Sequence, residues 1–596
     1  MLKKLTGCTR EKVIPTFHNE KTIAEEMADF YTEKITRIRD EVQSNSTNYI
    51  SHPSRGRLQI GKEFAMFQAI SMENLKEIMS TMKSKTSRSD PIPTSIVKQG
   101  MALLQHVLLH IINSCLEQNY FPDLLKKALV TPVIKDESKN ADDFKNYRPV
   151  SNLEFLEKLI EKVMYVQLND YIEDELLHAK HQSSYRKYHS CETALVKVVD
   201  DIQGMLNMKM NVALILLDSS LAFDTVDHDL LFNHLENQFS IKDNALKMIK
   251  SYLTDRKFSV LVNQEASEPR MLKYGVPQGS ILGPLFYLLY TKEIERIIES
   301  HGFNVHVYAD DCSIYFPYMP GDEMNAERRL THCLNDIKNW MNESFLKLNP
   351  GKTMVKLFTP NNKSEISSFC LRDNGVSIQP SKTVKLLGVT FGPSPNFNEF
   401  ADKKIQTCNY HLRNLWTVRK SLPHDTRVLL VTNLIISNID YCNTLLISSP
   451  NYIMLALQRI LNKAARFIFD IKRRDHVSPY LFRLHMLPVK FRIKFKVCLI
   501  AFKVVQGMAP AYLMEKVEMF QPSHMTCLRL GQGRDFLMFK DDLQPHKDAT
   551  WISEMVSEWN KIPLNIRCST ELDVFKKELK TYYFREAYAK IISDLK

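Results

Sequence analysis

The first periodic signal in the chain is a stripe of Ile23, Met27, Phe30, Tyr31, Ile35, Ile38 and Val42 with Glu and Lys between them, spacing that gives an α-helix one apolar face. Residues 44–57, rich in Ser, Asn, Pro and Gly, then read as a linker. Met72, Leu75, Met79 and Met82 mark a second amphipathic helix, ended by the turn-forming run Ser89-Asp90-Pro91-Ile92-Pro93. From about residue 96 to 314 helices alternate with short apolar runs such as 130–134 and 213–217, whose β-branched content favours strands and predicts an α+β domain. Beyond about 391 the strand signal fades, and 428–439, 455–469 and 491–505 all carry helical periodicity. Trp551, Met555 and Trp559 mark the last segment, where Thr570-x-x-Asp573 is a candidate capping box before Phe575 and Leu579.

A length of 596 residues predicts about three to four cores, and 44% hydrophobic with 25% charged residues excludes extensive disorder. Residues 1–10 lack an apolar signal region and no window reaches the ~18 apolar residues of a membrane helix, so a soluble, intracellular chain, nuclear and/or cytoplasmic and without a membrane partner, is expected. Eleven cysteines without a C-x-x-C pair argue against a zinc site or a disulfide framework. The net charge is +11, and the stretch 459–503 carries twelve Lys/Arg against Asp470 and Asp475. Like charge so concentrated calls for a polyanion, which makes Arg459, Lys463, Arg466, Lys472, Arg473, Arg474 and Arg492 candidate nucleic-acid contacts, with a solvated basic face as the alternative.

Two acidic features stand out against apolar surroundings. The run 213–217 is apolar throughout and ends in Asp218, and some 90 residues later two β-rich arms flank Asp310-Asp311, a pattern expected of a tight hairpin with both acids at its apex. Adjacent carboxylates in an apolar frame repel one another unless a cation intervenes, and hard oxygen donors suit Mg²⁺. A pair of such ions ~3.5–4 Å apart would stabilise an attacking and a leaving oxygen together. Taken alone, Ala309-Asp310-Asp311 would favour an acidic surface turn, since Asp is a common turn residue.

The wider context carries a resemblance. Tyr308-Ala309-Asp310-Asp311 resembles the reverse-transcriptase catalytic box, and Asp218-Ser219-Ser220-Leu221-Ala222-Phe223-Asp224 with the preceding Leu217 resembles the first catalytic motif of LINE-type non-LTR retrotransposons. Gly275-Val276-Pro277-Gln278-Gly279-Ser280-Ile281-Leu282-Gly283 is similar to that family's nucleotide-and-template loop, and Asn146-Tyr147-Arg148-Pro149 to its fingers motif. The resemblance implies a right-hand polymerase with fingers, an antiparallel palm and a helical thumb, acting as an RNA-directed DNA polymerase on an RNA template, a DNA primer and dNTPs with two Mg²⁺ ions, Mn²⁺ being the alternative. Carried over by position, Asp218 and Asp310 would hold the metals, with Asp311 and the Ser219 carbonyl beside them. Phe223 would wall off a ribose 2′-hydroxyl, Lys135 and Arg148 would meet the triphosphate, Gln278 and Gly279 would face the nascent base pair, and Lys352 would offer a proton to pyrophosphate. Arg186 and Lys187, with His189, fall in a run similar to a LINE fingers motif and are candidate contacts to template phosphate. Leu386-Leu387-Gly388-Val389 resembles the primer-grip hairpin, and Leu484-His485-Met486-Leu487-Pro488 the family's C-terminal arm.

The expected organisation is an N-terminal helix and linker (1–60), fingers and palm (61–392), a helical thumb with the basic region (393–510) and a mostly helical C-terminal arm (511–596). Full elements of this family usually carry an endonuclease, which is expected to be missing here, so that a nick would have to come from elsewhere. Asp-Ser-Ser-Leu-Ala-Phe stands where Asp-Leu-Ser-Ala-Ala-Phe is more typical, with Asp218 and Phe223 both retained. The rival expectations are an inactive relic that binds RNA and an RNA-templated RNA polymerase, the latter opposed by Phe223 and Ala309.

Overall fold

The computed structural model describes residues 15, 19–44, 61–84, 86–136, 138–220, 223–360, 369–373, 376–393, 397–519, 537–539 and 550–594. The expected 44–57 linker falls outside them, apart from its first residue.

The predicted first helix spans Glu20–Ser44 and buries Ile23, Met27, Tyr31, Ile38 and Val42. Asn19 starts it by accepting the Thr22 amide at 2.9 Å. The second helix runs Met72–Thr81 from a Ser71–Asn74 capping box and stops one residue before Met82.

Two sheets carry the domain that follows. In the fingers sheet, β1 (Lys127–Ile134) pairs antiparallel with β2 (Tyr147–Asn152) and parallel with a strand much later in the chain. In the palm, β3 (Asn211–Leu217) is central, and β4 (Ser219–Ser220) follows it at once. The later partner of β1 is β5 (Lys257–Val262), extended by the short β6 (Glu265–Ala266) and β7 (Arg270–Met271). The palm is completed by β8 (Asn304–Tyr308), β9 (Asp311–Tyr318), β10 (Lys347–Leu348) and β11 (Met354–Phe358), its main sheet running β11-β3-β9-β8 with every pair antiparallel. The architecture is α+β, as the residue pattern predicted.

β3 shows why an unbroken apolar run was needed. Successive side chains point to opposite faces of a strand; Ala213, Ile215 and Leu217 enter the core shared with the fingers helices, whereas Val212 and Leu214 enter a second core. That second core joins the far face of the palm to Leu457, Ile493, Trp551, Trp559 and Phe575, so the thumb and the C-terminal arm are built on one interior. A third, smaller core lays the Glu20–Ser44 helix on the fingers sheet through Ile23, Met27 and Tyr31 against Val130 and Val260.

The expected helices beyond 391 form at Asn451–Phe469 and Val489–Val505. The 428–439 segment is helical but is interrupted by a π-turn at Thr432–Ile436. Two expectations are corrected. A strand pair, Val517–Met519 with Leu537–Phe539, forms in the mostly helical C-terminal arm, where no strand was predicted. The Thr570 capping box does not form: the helix Leu572–Ala587 is preceded by Glu571 with no side-chain cap, so Thr570 lies one residue too early. The side-chain cap of this region is Thr550, which accepts the Ser553 amide at 3.3 Å before Trp551–Asn560.

Candidate active site

Strand register brings the three acids together. Leu217 pairs with Cys312 across β3 and β9, so Asp218 is next in register to Asp311. β8 and β9 are joined by a two-residue turn, Ala309-Asp310, closed by the Tyr308–Asp311 pair. Ala309 sits at φ 58°, a left-handed conformation that costs a non-glycine residue about 1–2 kcal/mol. Its amide donates to Ser184 Oγ at 2.8 Å and Gln182 Oε1 at 3.1 Å. The segment carrying these groups lies alongside β8, with the Ser183 amide on the Val307 carbonyl at 2.9 Å and the Val307 amide on the His181 carbonyl at 3.0 Å. Gln182 and Ser184 are thus site residues that the sequence reading missed. Their run was visible, but nothing in it says which backbone amide they hold.

Burial, followed by the charges of its neighbours Asp310 and Asp218, pushes the Asp311 carboxyl up to about 6, and Asp310 is raised by burial and then by Asp218. Two carboxyls raised in this way, with Asp218 beside them, are a donor set short of positive charge, and their hard oxygens fit a divalent cation. Lys352 supplies part of that charge through an ion pair of 2.7 Å to Asp218. The Asp218 carbonyl accepts the Asn349 amide at 2.9 Å, and Ser219 pairs with Leu348 across β4 and β10, so this edge is fixed by backbone bonds.

In front of the acids lies a cavity of about 640 Å³. Phe223 lies in its wall, stacked on Tyr287 with ring centroids 4.4 Å apart. Lys135 and Arg148 reach it from the fingers sheet; Lys135 is pushed down to about 8 by burial and then by the neighbouring cations Lys34 and Lys352. Gln278 and Gly279 form another wall, on a loop docked against β2 by the Ser151 amide donating to the Gln278 carbonyl at 2.8 Å. A Cβ on Gly279, whose φ is 125°, would lie 2.6 Å from the Ser151 carbonyl oxygen, which is why glycine stands there. Asp224, given no role from sequence, accepts Gln278 Nε2 at 2.7 Å and aims that amide. Burial raises its carboxyl to about 6. The loop continues into Leu282–Tyr290, where Glu161 accepts the Ile281 amide at 2.7 Å. The N-terminal helix adds Lys34 and Arg37, which no motif had marked.

Other candidates lie away from this cavity or are engaged elsewhere. Arg186 is turned onto the carbonyls of Ala179 and Gln182 at 2.9 and 3.1 Å, while Lys187 stays exposed beside the Tyr188 ring. In the basic stretch, Arg459, Lys472, Arg473 and Arg474 are exposed, Lys463 reaches Asn409, and Arg466 holds the Arg473 and Asp475 carbonyls. Arg492 pairs with Asp440, Lys494 with Glu558 and Lys496 with Glu192. Acids from distant segments thus neutralise part of a charge that looks unbalanced in sequence. The 386–389 run forms a hairpin between Val384–Leu386 and Val389–Phe391, with Leu387 and Gly388 both at positive φ.

An antiparallel sheet thus carries three carboxylates at one edge, beside a cation-lined cavity walled by a glycine-bearing loop. Residues 134–391 match the family described as reverse transcriptase (RNA-dependent DNA polymerase), so the chain carries a reverse transcriptase domain. The chain is 28% identical over 356 residues to the probable RNA-directed DNA polymerase from transposon BS of Drosophila melanogaster, covering 58% of this chain and 39% of that protein. It is 28% identical over 336 residues to the RNA-directed DNA polymerase from mobile element jockey of Drosophila funebris (55% and 36%), and 24% identical over 400 residues to the probable polymerase from transposon X-element of Drosophila melanogaster (66% and 43%). The chain spans about two fifths of the length of these relatives. Among the described residues no helix is long and apolar enough to cross a membrane.

Proposed function

We propose that the chain extends a DNA primer on an RNA template, the primer 3′-hydroxyl attacking the α-phosphate of a dNTP with release of pyrophosphate. The observation that carries this reading is the convergence of Asp218, Asp310 and Asp311 at one sheet edge beside the cavity that Phe223, Arg148 and Gln278 line. Asp218 and Asp310, with Asp311 beside them and the Ser219 carbonyl as a further donor, would hold two Mg²⁺ ions. Such ions, when bound, neutralise charge on the reacting oxygens. Arg148 and Lys135 draw the phosphates into line, and Phe223, braced by Tyr287, leaves no room for a 2′-hydroxyl. Gln182 and Ser184 hold the strained turn that presents Asp310. Lys352 stands on the acidic edge, from which it can protonate departing pyrophosphate. The template is bound by the exposed cations among Arg459, Lys472, Arg473 and Arg474, and by Lys187.

The test is primer extension on an RNA template with Mg²⁺ and dNTPs, beside Asp310→Ala. Wild-type protein is expected to extend and Asp310→Ala to lose extension by at least about 10³-fold while RNA affinity stays within about twofold, because the acids and the basic surface are separate. A well-folded wild type that binds RNA and extends nothing would refute the reading in favour of an RNA-binding relic, and equal use of rNTPs and dNTPs would refute the role given to Phe223.

A further inference from the structure

The Glu20–Ser44 helix is tied down on both sides of the cavity. Toward its N-terminus, Ile23, Met27 and Tyr31 pack on the fingers sheet, and Glu25 and Asp29 pair with Arg270 at 3.0 and 2.9 Å. Toward its C-terminus, Arg39 is buried on the palm side, paired with Asp227 at 2.6 Å between the rings of Tyr274 and Phe345, whose centroids lie 3.7 and 3.8 Å away. Glu41 contacts Lys347. Between these anchors Lys34 and Arg37, three residues apart and so on one helix face, line the cavity that holds Asp218, Asp310 and Gln278.

Their surroundings call for an anion. Among the described residues neither Lys34 nor Arg37 has a carboxylate within ion-pair distance, in contrast to Arg39 and Arg270 on either side of them. Lys34 is half-buried and Lys135 and Arg148 line the same cavity, so like charges are held together there at a cost. A volume of about 640 Å³ is that of a small-molecule site, and the cavity also contains Phe223 and the Gln278 loop. We infer that the N-terminal helix is part of the nucleotide site, with Lys34 and Arg37 holding the triphosphate of the incoming dNTP opposite Lys135 and Arg148. This rests on the polymerase reading above and adds to it a fixed wall that precedes the polymerase motifs in the chain.

The test separates nucleotide from template phosphates. The full chain is bound to an RNA template and a primer ended with a dideoxynucleotide, which admits the next nucleotide without reaction, and dATP is titrated with Mg²⁺. Lys34→Gln with Arg37→Gln is expected to raise the dATP Kd about tenfold or more while the RNA–primer Kd stays within about twofold, and Lys34→Arg with Arg37→Lys is expected to restore most of the loss. A dATP Kd within about twofold of wild type overturns the inference. If duplex affinity falls in its place, these cations belong to the template backbone. Wild type that binds dATP here yet fails to extend an unblocked primer refutes the polymerase reading alone, whereas wild type that binds no dATP sinks both.

Discussion

Gly279→Ala isolates the contribution of the Gln278 loop. The new Cβ would stand 2.6 Å from the Ser151 carbonyl oxygen at a φ of 125°, which side chains rarely adopt. Ser151 has little freedom to retreat, because it is paired with Val130 inside the fingers sheet. The loop therefore has to move, giving up the 2.8 Å bond between the Ser151 amide and the Gln278 carbonyl. Backbone strain of about 1–3 kcal/mol and a lost hydrogen bond of about 1 kcal/mol together amount to about 2–4 kcal/mol. If that falls on nucleotide positioning, kcat/KM for a dNTP drops roughly 30- to 1,000-fold, while melting falls by no more than about 10 °C since the cores are untouched. Steady-state extension with varied dNTP, beside a thermal melt, measures both. Gly204→Ala is the control: nothing lies within 4 Å of its Cβ position in the Cys191–Asn207 helix, so it should stabilise by about 0.5–1 kcal/mol and leave kinetics unchanged. Gly279→Ala enzyme with a kcat/KM within about threefold of wild type would refute the argument.

Arg39→Met should destabilise by on the order of 3–5 kcal/mol in chemical denaturation, because it strands the buried Asp227 carboxylate, and Arg39→Lys should recover only part of the loss, lacking a plane to lie between Tyr274 and Phe345. Equal stability of Arg39→Met and wild type would contradict the anchoring role. Glu295 is buried, and burial raises its carboxyl to about 7 although it accepts the His181 amide at 3.0 Å. A folded-state value above the unfolded one favours the protonated form, so the stability it contributes is complete below about pH 4.3 and is lost as pH rises through about 7. Glu295→Gln, which keeps an acceptor and never ionises, should therefore exceed wild type by on the order of 2–3 kcal/mol at pH 8 and match it near pH 4. A difference that does not change with pH would contradict this.

What the sequence determined by itself was local. An apolar run ending in Asp218 and a hairpin pattern around Asp310-Asp311 are written in adjacent residues, because strand alternation and turn geometry act over a few positions. The Gln278-Gly279 loop was legible for the same reason, as was the stripe of the first helix. Convergence was decided by pairing: Asp218 meets Asp311 only because β3 lies antiparallel to β9 in one register, and a slip of one residue would turn Leu217 from the first core toward the second. Nothing near Lys34 or Arg37 in the chain shows that their helix spans fingers and palm and faces the acids. Nor does the basic stretch reveal that Glu192, Asp440 and Glu558 fold back to pair with its cations. Electrostatic partners are chosen by distance in space, and distance along the chain does not encode it.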